Sequence, residues 1–228
     1  MPNIYASTND GWVHYNDSDW ATARGASTGE MTVATNTAYF AAIEASRVSA
    51  RGGGYIYTVR RAFLQFDTSG VTSTVSAARL NIRGFSQGGG DVAVVQATSG
   101  ATTLGNSDFD AITGWNPISD GAAGGDNRSN VTYYSDGTGS GEVDTWSTSG
   151  YNTITLNSTA RTAMVDEDEL LVCIINFDND LRDIAPTGYS THRNGMYFSN
   201  YTGTTRDPYI DYELETPADS AIFFGANF

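Results

Sequence analysis

Two segments joined by a short turn alternate apolar and polar residues, and this pattern constrains the fold more than any other feature. The first covers residues 60–67 and the second covers residues 76–83. Successive side chains of a β-strand point to opposite faces of a sheet, so a period of two predicts two half-buried strands. The residues predicted to face inward are Ala62, Leu64, Phe66, Ala78, Leu80 and Ile82. Those predicted on the opposite face are Phe63, Gln65, Arg79, Asn81 and Arg83.

Later segments repeat the strand signal between stretches rich in Gly, Ser, Thr, Asn and Asp. The uninterrupted apolar run at residues 170–175 predicts a strand that is covered on both faces, at the centre of the fold. Residues 158–165 have the spacing of one short helix. The chain therefore predicts an all-β domain over residues 1–214, with long loops and at most one or two short helices. Its predicted core is Leu64, Phe66, Leu80, Ile82, Ile154, Leu156, Val172 and Ile174.

Several of these segments also resemble a known family. The runs Arg-Ala-Phe-Leu-Gln-Phe-Asp at 61–67 and Ala-Arg-Leu-Asn-Ile at 78–82 are similar to the core signature of DNRLRE-type domains. Residues 154–157, 170–175 and 207–212 resemble later segments of that family in the same order. The resemblance implies an antiparallel two-sheet jelly-roll β-sandwich, similar to carbohydrate-binding modules. Such domains occur in secreted surface proteins, polysaccharide-degrading enzymes and some phage virion proteins.

The charge balance bears on the class of partner. The chain has 26 acidic and 12 basic residues, a net charge of −14, and all of its basic residues are arginine. A surface of this sign repels nucleic-acid phosphates and anionic membranes, so we expect neither as a partner. No run approaches the roughly 18 apolar residues of a membrane-spanning helix. An acidic surface can instead attract cations or keep the protein soluble.

The residues that carry most enzyme chemistry are sparse, and no catalytic residue is predicted. The histidines, His14 and His192, lie far apart in the sequence without a nearby nucleophile motif. Cys173 lies inside an apolar run, where a thiol is expected to pack without reacting. The glycine runs lack the Lys-Ser/Thr of a phosphate-binding loop. We therefore expect a protein that is not an enzyme.

Two clusters of acidic residues are candidate calcium ligands, so no cofactor is expected to be required and a structural Ca²⁺ ion is the one candidate. Two carboxylates separated by one residue can coordinate a hard cation, but the same spacing also forms an Asx-type turn. Sequence leaves both alternatives open, with the turn favoured. The candidate ligands are Asp17, Asp19, Asp178, Asp180 and Asp183.

The long loop at residues 114–150 is rich in Gly, Asn, Asp and Ser and is punctuated by aromatic residues. Long loops in compact domains are often functional. Its aromatic side chains could stack on sugar rings or contact another protein, or they could pin the loop to the domain itself. The two alternatives have equal weight. The residues are Trp115, Tyr133, Tyr134, Trp146 and Tyr151.

Residues 215–228 form a Pro-containing linker and an apolar end. Apolar side chains this concentrated are expected to be buried, either on the same domain or against a neighbour. We expect a tail that docks into another subunit. The docking residues predicted are Ile222, Phe223, Phe224 and Phe228.

Together these features favour a structural protein of a bacteriophage virion: a capsid decoration, fibre or adhesin module on the particle exterior. The first residues lack the basic and apolar segments of a signal peptide, whereas the family resemblance implies an outside location. A particle released by lysis would explain both. The predicted partners are other virion proteins or copies of the chain, and a glycan. The alternative is an extracellular carbohydrate-binding module of a polysaccharide-degrading or cell-surface protein.

Overall fold

The computed structural model describes residues 1–33, 38–98, 104–117, 125–136 and 146–216. These ranges contain eleven β-strands and two α-helices. A 3-10 turn, Asn106–Asp110, and a π-helical turn, Phe177–Leu181, follow β7 and β9. The strands and helices are β1 (Asn3–Tyr5), β2 (Gly11–Asp17), α1 (Trp20–Gly25), β3 (Glu30–Val33), β4 (Ala38–Ser49), β5 (Tyr55–Asp67), β6 (Val75–Gln87), β7 (Val92–Gln96), β8 (Tyr151–Thr155), α2 (Ser158–Asp166), β9 (Glu169–Asn176), β10 (Ser190–Tyr197) and β11 (Tyr209–Leu214).

The strands form two antiparallel layers. Sheet A has the order β1–β11–β6–β8. In sheet B, β2 pairs along one edge of β5. Along the other edge, the first half of β5 pairs with β4 and the second half with β9. Strand β3 then pairs with β2, β10 with β4 and β7 with β9. The end of β6 also pairs with β10, so the two layers join along one side. This arrangement confirms the predicted all-β, antiparallel sandwich.

The first hydrophobic core lies between the two sheets and contains the predicted residues. All eight are buried, with exposed fractions of 2% or less, and all belong to one cluster. Residues 62, 64 and 66 of β5 and residues 78, 80 and 82 of β6 point into it, as the period-two pattern predicts. Burying a side chain of this size stabilises the fold by about 1.5–3 kcal/mol relative to leaving it in water.

A second core covers the opposite face of sheet B. Phe63 on β5, Val95 on β7 and Cys173 on β9 pack there against α1, the 3-10 turn and the residues that follow it. The central part of sheet B, formed by β7, β9 and the second half of β5, is therefore buried on both faces, as predicted for β9. The prediction was wrong for β5, which is not half-buried, because the long connections fold back over its second face. Strand β6 is half-buried as predicted.

The two α-helices are short and begin at side-chain caps. Asn157 Oδ1 accepts a hydrogen bond from the Ala160 N–H at 3.0 Å and starts α2, which extends one residue beyond the predicted helix. Asp19 Oδ1 accepts from the Thr22 N–H at 2.8 Å and starts α1, which the sequence did not predict. Within the described ranges, neither helix approaches the length and apolar character needed to cross a membrane.

Candidate functional site

Most of the aromatic side chains predicted for outer contact are used to anchor the long loop. Trp146 is 2% exposed, and its Nε1–H donates to the Gly195 carbonyl at 2.9 Å. Tyr134 lies in the first core and Tyr133 in the second. A ring with both faces against protein atoms cannot also stack on a sugar. Trp146, Tyr133 and Tyr134 therefore pin the loop to the domain itself, as in the second alternative considered for the sequence.

Trp115 packs within a buried charged cluster on the second face of sheet B. The guanidinium carbons of Arg24 and Arg61 lie 4.6 and 4.1 Å from the centroid of its ring. Cations at this distance from an indole are attracted by its negative face. Trp115 is half-buried and packs against the second core, so it helps to hold two arginine side chains in place.

Arg61 and Asp180 form the centre of this cluster. Arg61 Nε and Nη2 donate to the two carboxylate oxygens of Asp180 at 2.7 and 2.8 Å, and neither side chain is exposed. Arg61 also donates to the Phe109 carbonyl at 2.6 Å, while Arg24 donates to the Asp180 and Gly125 carbonyls. The cluster therefore cross-links α1, the 3-10 turn, the π-helical turn and the loop at residue 125. A two-pronged ion pair of this kind satisfies charges that burial would otherwise penalise.

The remaining carboxylates predicted to bind calcium are each held by other donors. Asp17 accepts the Asp19 N–H at 2.8 Å, and Asp19 caps α1, as in the turn alternative. Asp178 accepts the Asp91 N–H at 2.8 Å, and Asp183 accepts the Trp20 Nε1–H at 2.9 Å. Across the described ranges, no group of three or more Asp, Glu, His or Cys side chains is placed to share a metal ion. Calcium binding stays a prediction.

The predicted docking residues of the tail, Ile222, Phe223, Phe224 and Phe228, lie outside the described residues, which end at Thr216.

A different set of aromatic side chains lies on the outer face of sheet A, on the adjoining end of β10 and on the loop that follows β10. We call this surface the tyrosine face. Tyr5 and Phe85 are 42% and 44% exposed, and the other members are half-buried. Exposed aromatic surface of this extent on a folded protein is a candidate contact site. The tyrosine face consists of Tyr5, Phe85, Tyr151, Tyr197, Tyr201 and Tyr209.

Strand register brings these rings together. Tyr5 pairs with Tyr209, and Tyr209 in turn pairs with Asn81 of β6. The ring centroids of Tyr5 and Tyr209 are 5.7 Å apart, and those of Tyr209 and Tyr151 are 5.2 Å apart. Residues opposite each other on one face of an antiparallel sheet are close neighbours, so distant parts of the chain converge here.

The end of β10 and the loop between β10 and β11 continue the tyrosine face. Tyr197 lies 5.3 Å from Phe85 and 5.0 Å from Tyr201, measured between ring centroids. Arg206 Nη1 donates to the Tyr197 hydroxyl at 2.7 Å, and its guanidinium lies over both tyrosine rings. The Tyr151 hydroxyl donates to the Thr205 carbonyl at 3.0 Å, which connects the two halves of the surface.

A row of planar polar side chains runs beside the rings. Asp211 accepts from Arg79 Nε at 2.9 Å and from Asn81 Nδ2 at 2.7 Å, and Thr153 Oγ1 donates to Asn81 Oδ1 at 2.8 Å. Arg83 pairs with Tyr151 in register. Burial raises the pKa of Tyr151 to about 12, so its phenol stays a neutral donor at ordinary pH. The tyrosine face therefore combines apolar ring surface with ordered hydrogen-bonding groups.

Sequence reasoning identified Tyr151 but missed the other members of the tyrosine face. A usable signal was present, since Arg79, Asn81 and Arg83 were correctly assigned to the outer side of β6, and Phe85 continues that side. The partners come from β1, β10 and β11, and nothing local in the sequence indicates that these strands adjoin β6. Comparisons with protein-family models and with curated proteins found no match to this chain.

Proposed function

We propose that the protein is a non-enzymatic adhesion and structural module on the exterior of a bacteriophage virion, and that it binds glycan through the tyrosine face. The observation that carries the proposal is the group of six aromatic side chains gathered on the tyrosine face. The C–H-rich side of a sugar ring packs against such rings, while its hydroxyl groups bond to fixed polar side chains.

The polar row supports a binding role over a catalytic one. Both carboxylate oxygens of Asp211 already accept hydrogen bonds, one from Arg79 Nε and the other from Asn81 Nδ2. The row is suited to orienting hydroxyl groups, because its donors and acceptors are already fixed by one another.

The virion setting rests on sequence features rather than on the tyrosine face. A net charge of −14 disfavours contact with nucleic acid, and the apolar residues 221–228 suit docking to a neighbouring subunit. Immunogold labelling of purified particles, with antibody raised against the described domain, tests the setting. Label on intact particles supports the proposal, and label confined to free protein contradicts it.

Glycan-array binding tests the proposed ligand class. We expect the full chain to bind at least one glycan, with binding reduced more than tenfold in Tyr5→Ala and Tyr209→Ala. Tyr189→Ala is the matched control, because Tyr189 is 77% exposed and outside the tyrosine face. Loss of binding in the control variant as well, or retention in both face variants, would refute the site. The absence of any glycan hit would refute the ligand class.

A further inference from the structure

A buried carboxyl group joins the first loop of the chain to the loop that completes the tyrosine face. Asp10 lies between β1 and β2 and is 1% exposed. Its Oδ2 accepts the Ser199 N–H at 2.8 Å, and its Oδ1 lies 2.9 Å from Ser199 Oγ. Ser199 follows β10 and starts the loop that carries Tyr201 and Arg206.

Counting protons around Ser199 indicates the state of Asp10. Ser199 Oγ lies 2.7 Å from the Ser7 carbonyl oxygen as well as 2.9 Å from Asp10 Oδ1. A hydroxyl has one proton, and two acceptors compete for it when Asp10 is ionised. When Asp10 is protonated, its O–H donates to Ser199 Oγ, which then donates to the Ser7 carbonyl. Each of the three contacts, from the Ser199 N–H to Asp10, from Asp10 to Ser199 Oγ and from Ser199 Oγ to the Ser7 carbonyl, then has one proton.

We infer that Asp10 is a neutral carboxylic acid in the folded protein below neutral pH and acts as a proton-dependent latch on the β10–β11 loop. In the closed latch, Asp10 and Ser199 form the chain of hydrogen bonds described above. Loss of the proton leaves the Ser199 hydroxyl with one proton for two acceptors and places a charge on a residue that is 1% exposed. The loop that positions Tyr201 and Arg206 is then held less tightly.

The neighbouring carboxyl group of Asp207 also favours the protonated form of Asp10. Asp207, two residues before the start of β11, is 6% exposed, and its Oδ1 has no hydrogen-bond partner among the described residues. Ser7 and Ser199 are the other polar groups that face Asp10, from the β1–β2 turn and the β10–β11 loop. Burial, with a smaller contribution from the Asp207 charge, raises the pKa of Asp10 to about 7. Burial also raises the pKa of Asp207.

The sign of the pH effect follows from linkage. In an opened loop Asp10 has a pKa near 3.8, and in the closed loop its pKa is about 7. The open state therefore releases a proton between these values, and the opening equilibrium constant rises about tenfold per pH unit in that window. The opening equilibrium constant does not change with pH above about 7 or below about 3.8. The latch is tightest in acid and weakest at and above neutral pH.

The consequence for binding rests on the proposed function. If the tyrosine face binds glycan, affinity should fall as the pH rises from about 4.5 to 7 and then stay constant. Hydrogen exchange tests the latch without any ligand, so the failure of one proposal is separable from the failure of the other. An ordered, pH-sensitive loop without a glycan hit would refute only the proposed function.

The experiment is hydrogen-exchange mass spectrometry on the full chain between pH 4.5 and 8.5, with rates corrected for intrinsic exchange. Three proteins are compared: wild type, Asp10→Asn, and the control Asp168→Asn, whose carboxyl is exposed. In wild type and control, we expect protection of residues 198–207 to fall about tenfold per unit up to pH 7. Asp10→Asn should keep its protection at every pH, since its amide donates to Ser199 Oγ and its carbonyl accepts the Ser199 N–H.

Two results would overturn the inference. One is wild-type protection of this loop that does not change with pH. The other is an Asp10→Asn variant whose loop still loses protection as the pH rises. If that variant is loosened at every pH, infrared spectroscopy gives the second measurement: wild type at pH 5.5 should show the carbonyl stretch of a protonated carboxyl that the variant lacks. Absence of that difference would also refute a neutral Asp10.

Discussion

The buried ion pair between Arg61 and Asp180 gives the sharpest prediction about stability. Replacing Asp180 with Asn keeps the size of the side chain but removes its negative charge. Arg61 and Arg24 are then left as buried cations, with side chains 0% and 1% exposed, beside the partly exposed carboxylate of Asp183. Removing one partner of a buried pair costs about 3–5 kcal/mol, because the other charge stays desolvated and uncompensated.

Urea titration followed by tryptophan fluorescence measures this cost. With an m-value of roughly 2–3 kcal/mol/M, a loss of about 3–5 kcal/mol lowers the unfolding midpoint by about 1–2.5 M. We expect a large decrease in the unfolding midpoint for Asp180→Asn, because the cluster holds four segments against the second face of sheet B. Such a shift is well outside the error of a midpoint.

The chain offers a matched control in Asp211→Asn. Asp211 also pairs with an arginine, with Arg79 Nε at 2.9 Å, but the Arg79 side chain is 42% exposed. Exposed pairs contribute about 0–1 kcal/mol, since water and salt screen them. We therefore expect a midpoint shift at least threefold larger for Asp180→Asn than for Asp211→Asn. Equal small shifts would refute the structural role of the cluster.

Three further predictions concern other parts of the fold. The Cys173 thiol, whose pKa burial raises, should not react with a maleimide at pH 8 until the protein is denatured. Gly84→Ala should destabilise the protein by about 1–3 kcal/mol in urea titrations, because its Cβ would lie 2.0 Å from the Ser147 carbonyl oxygen, whereas Gly70→Ala has open space and should be near neutral. If the candidate carboxylates bind a structural Ca²⁺ ion, the melting temperature should be lower in excess chelator than in excess Ca²⁺; equal values would leave these carboxylates only their hydrogen bonds to protein donors.

The sequence was most informative where one local rule decides the outcome. Alternation assigned Leu64, Leu80 and Ile174 to the core because a pleated strand has only two sides. It also placed Arg79 and Asn81 on the outer side of β6. The uninterrupted run of β9 indicated burial on both faces, since such a strand has no polar side to present to water.

The sequence was least informative where the outcome depends on which segments adjoin. Asp180 was assigned to a calcium cluster because other acids lie near it in sequence, but its partner Arg61 is 119 residues away. The sequence did not decide whether Trp146 is exposed or buried. In the structure its indole N–H donates to the Gly195 carbonyl, an acceptor that nothing near Trp146 in the sequence indicates. The tyrosine face depends in the same way on strand order, which no single segment encodes.

Mapping the glycan-binding site by NMR would show directly whether the tyrosine face binds glycan. Backbone amide shifts of the full chain would be followed during titration with a glycan identified on the array. We expect the largest shifts to cluster on β1, β6, β8 and β11 and on the β10–β11 loop, around Tyr5, Tyr151 and Tyr209. Shifts concentrated on sheet B, or a glycan that binds without perturbing these strands, would contradict this prediction.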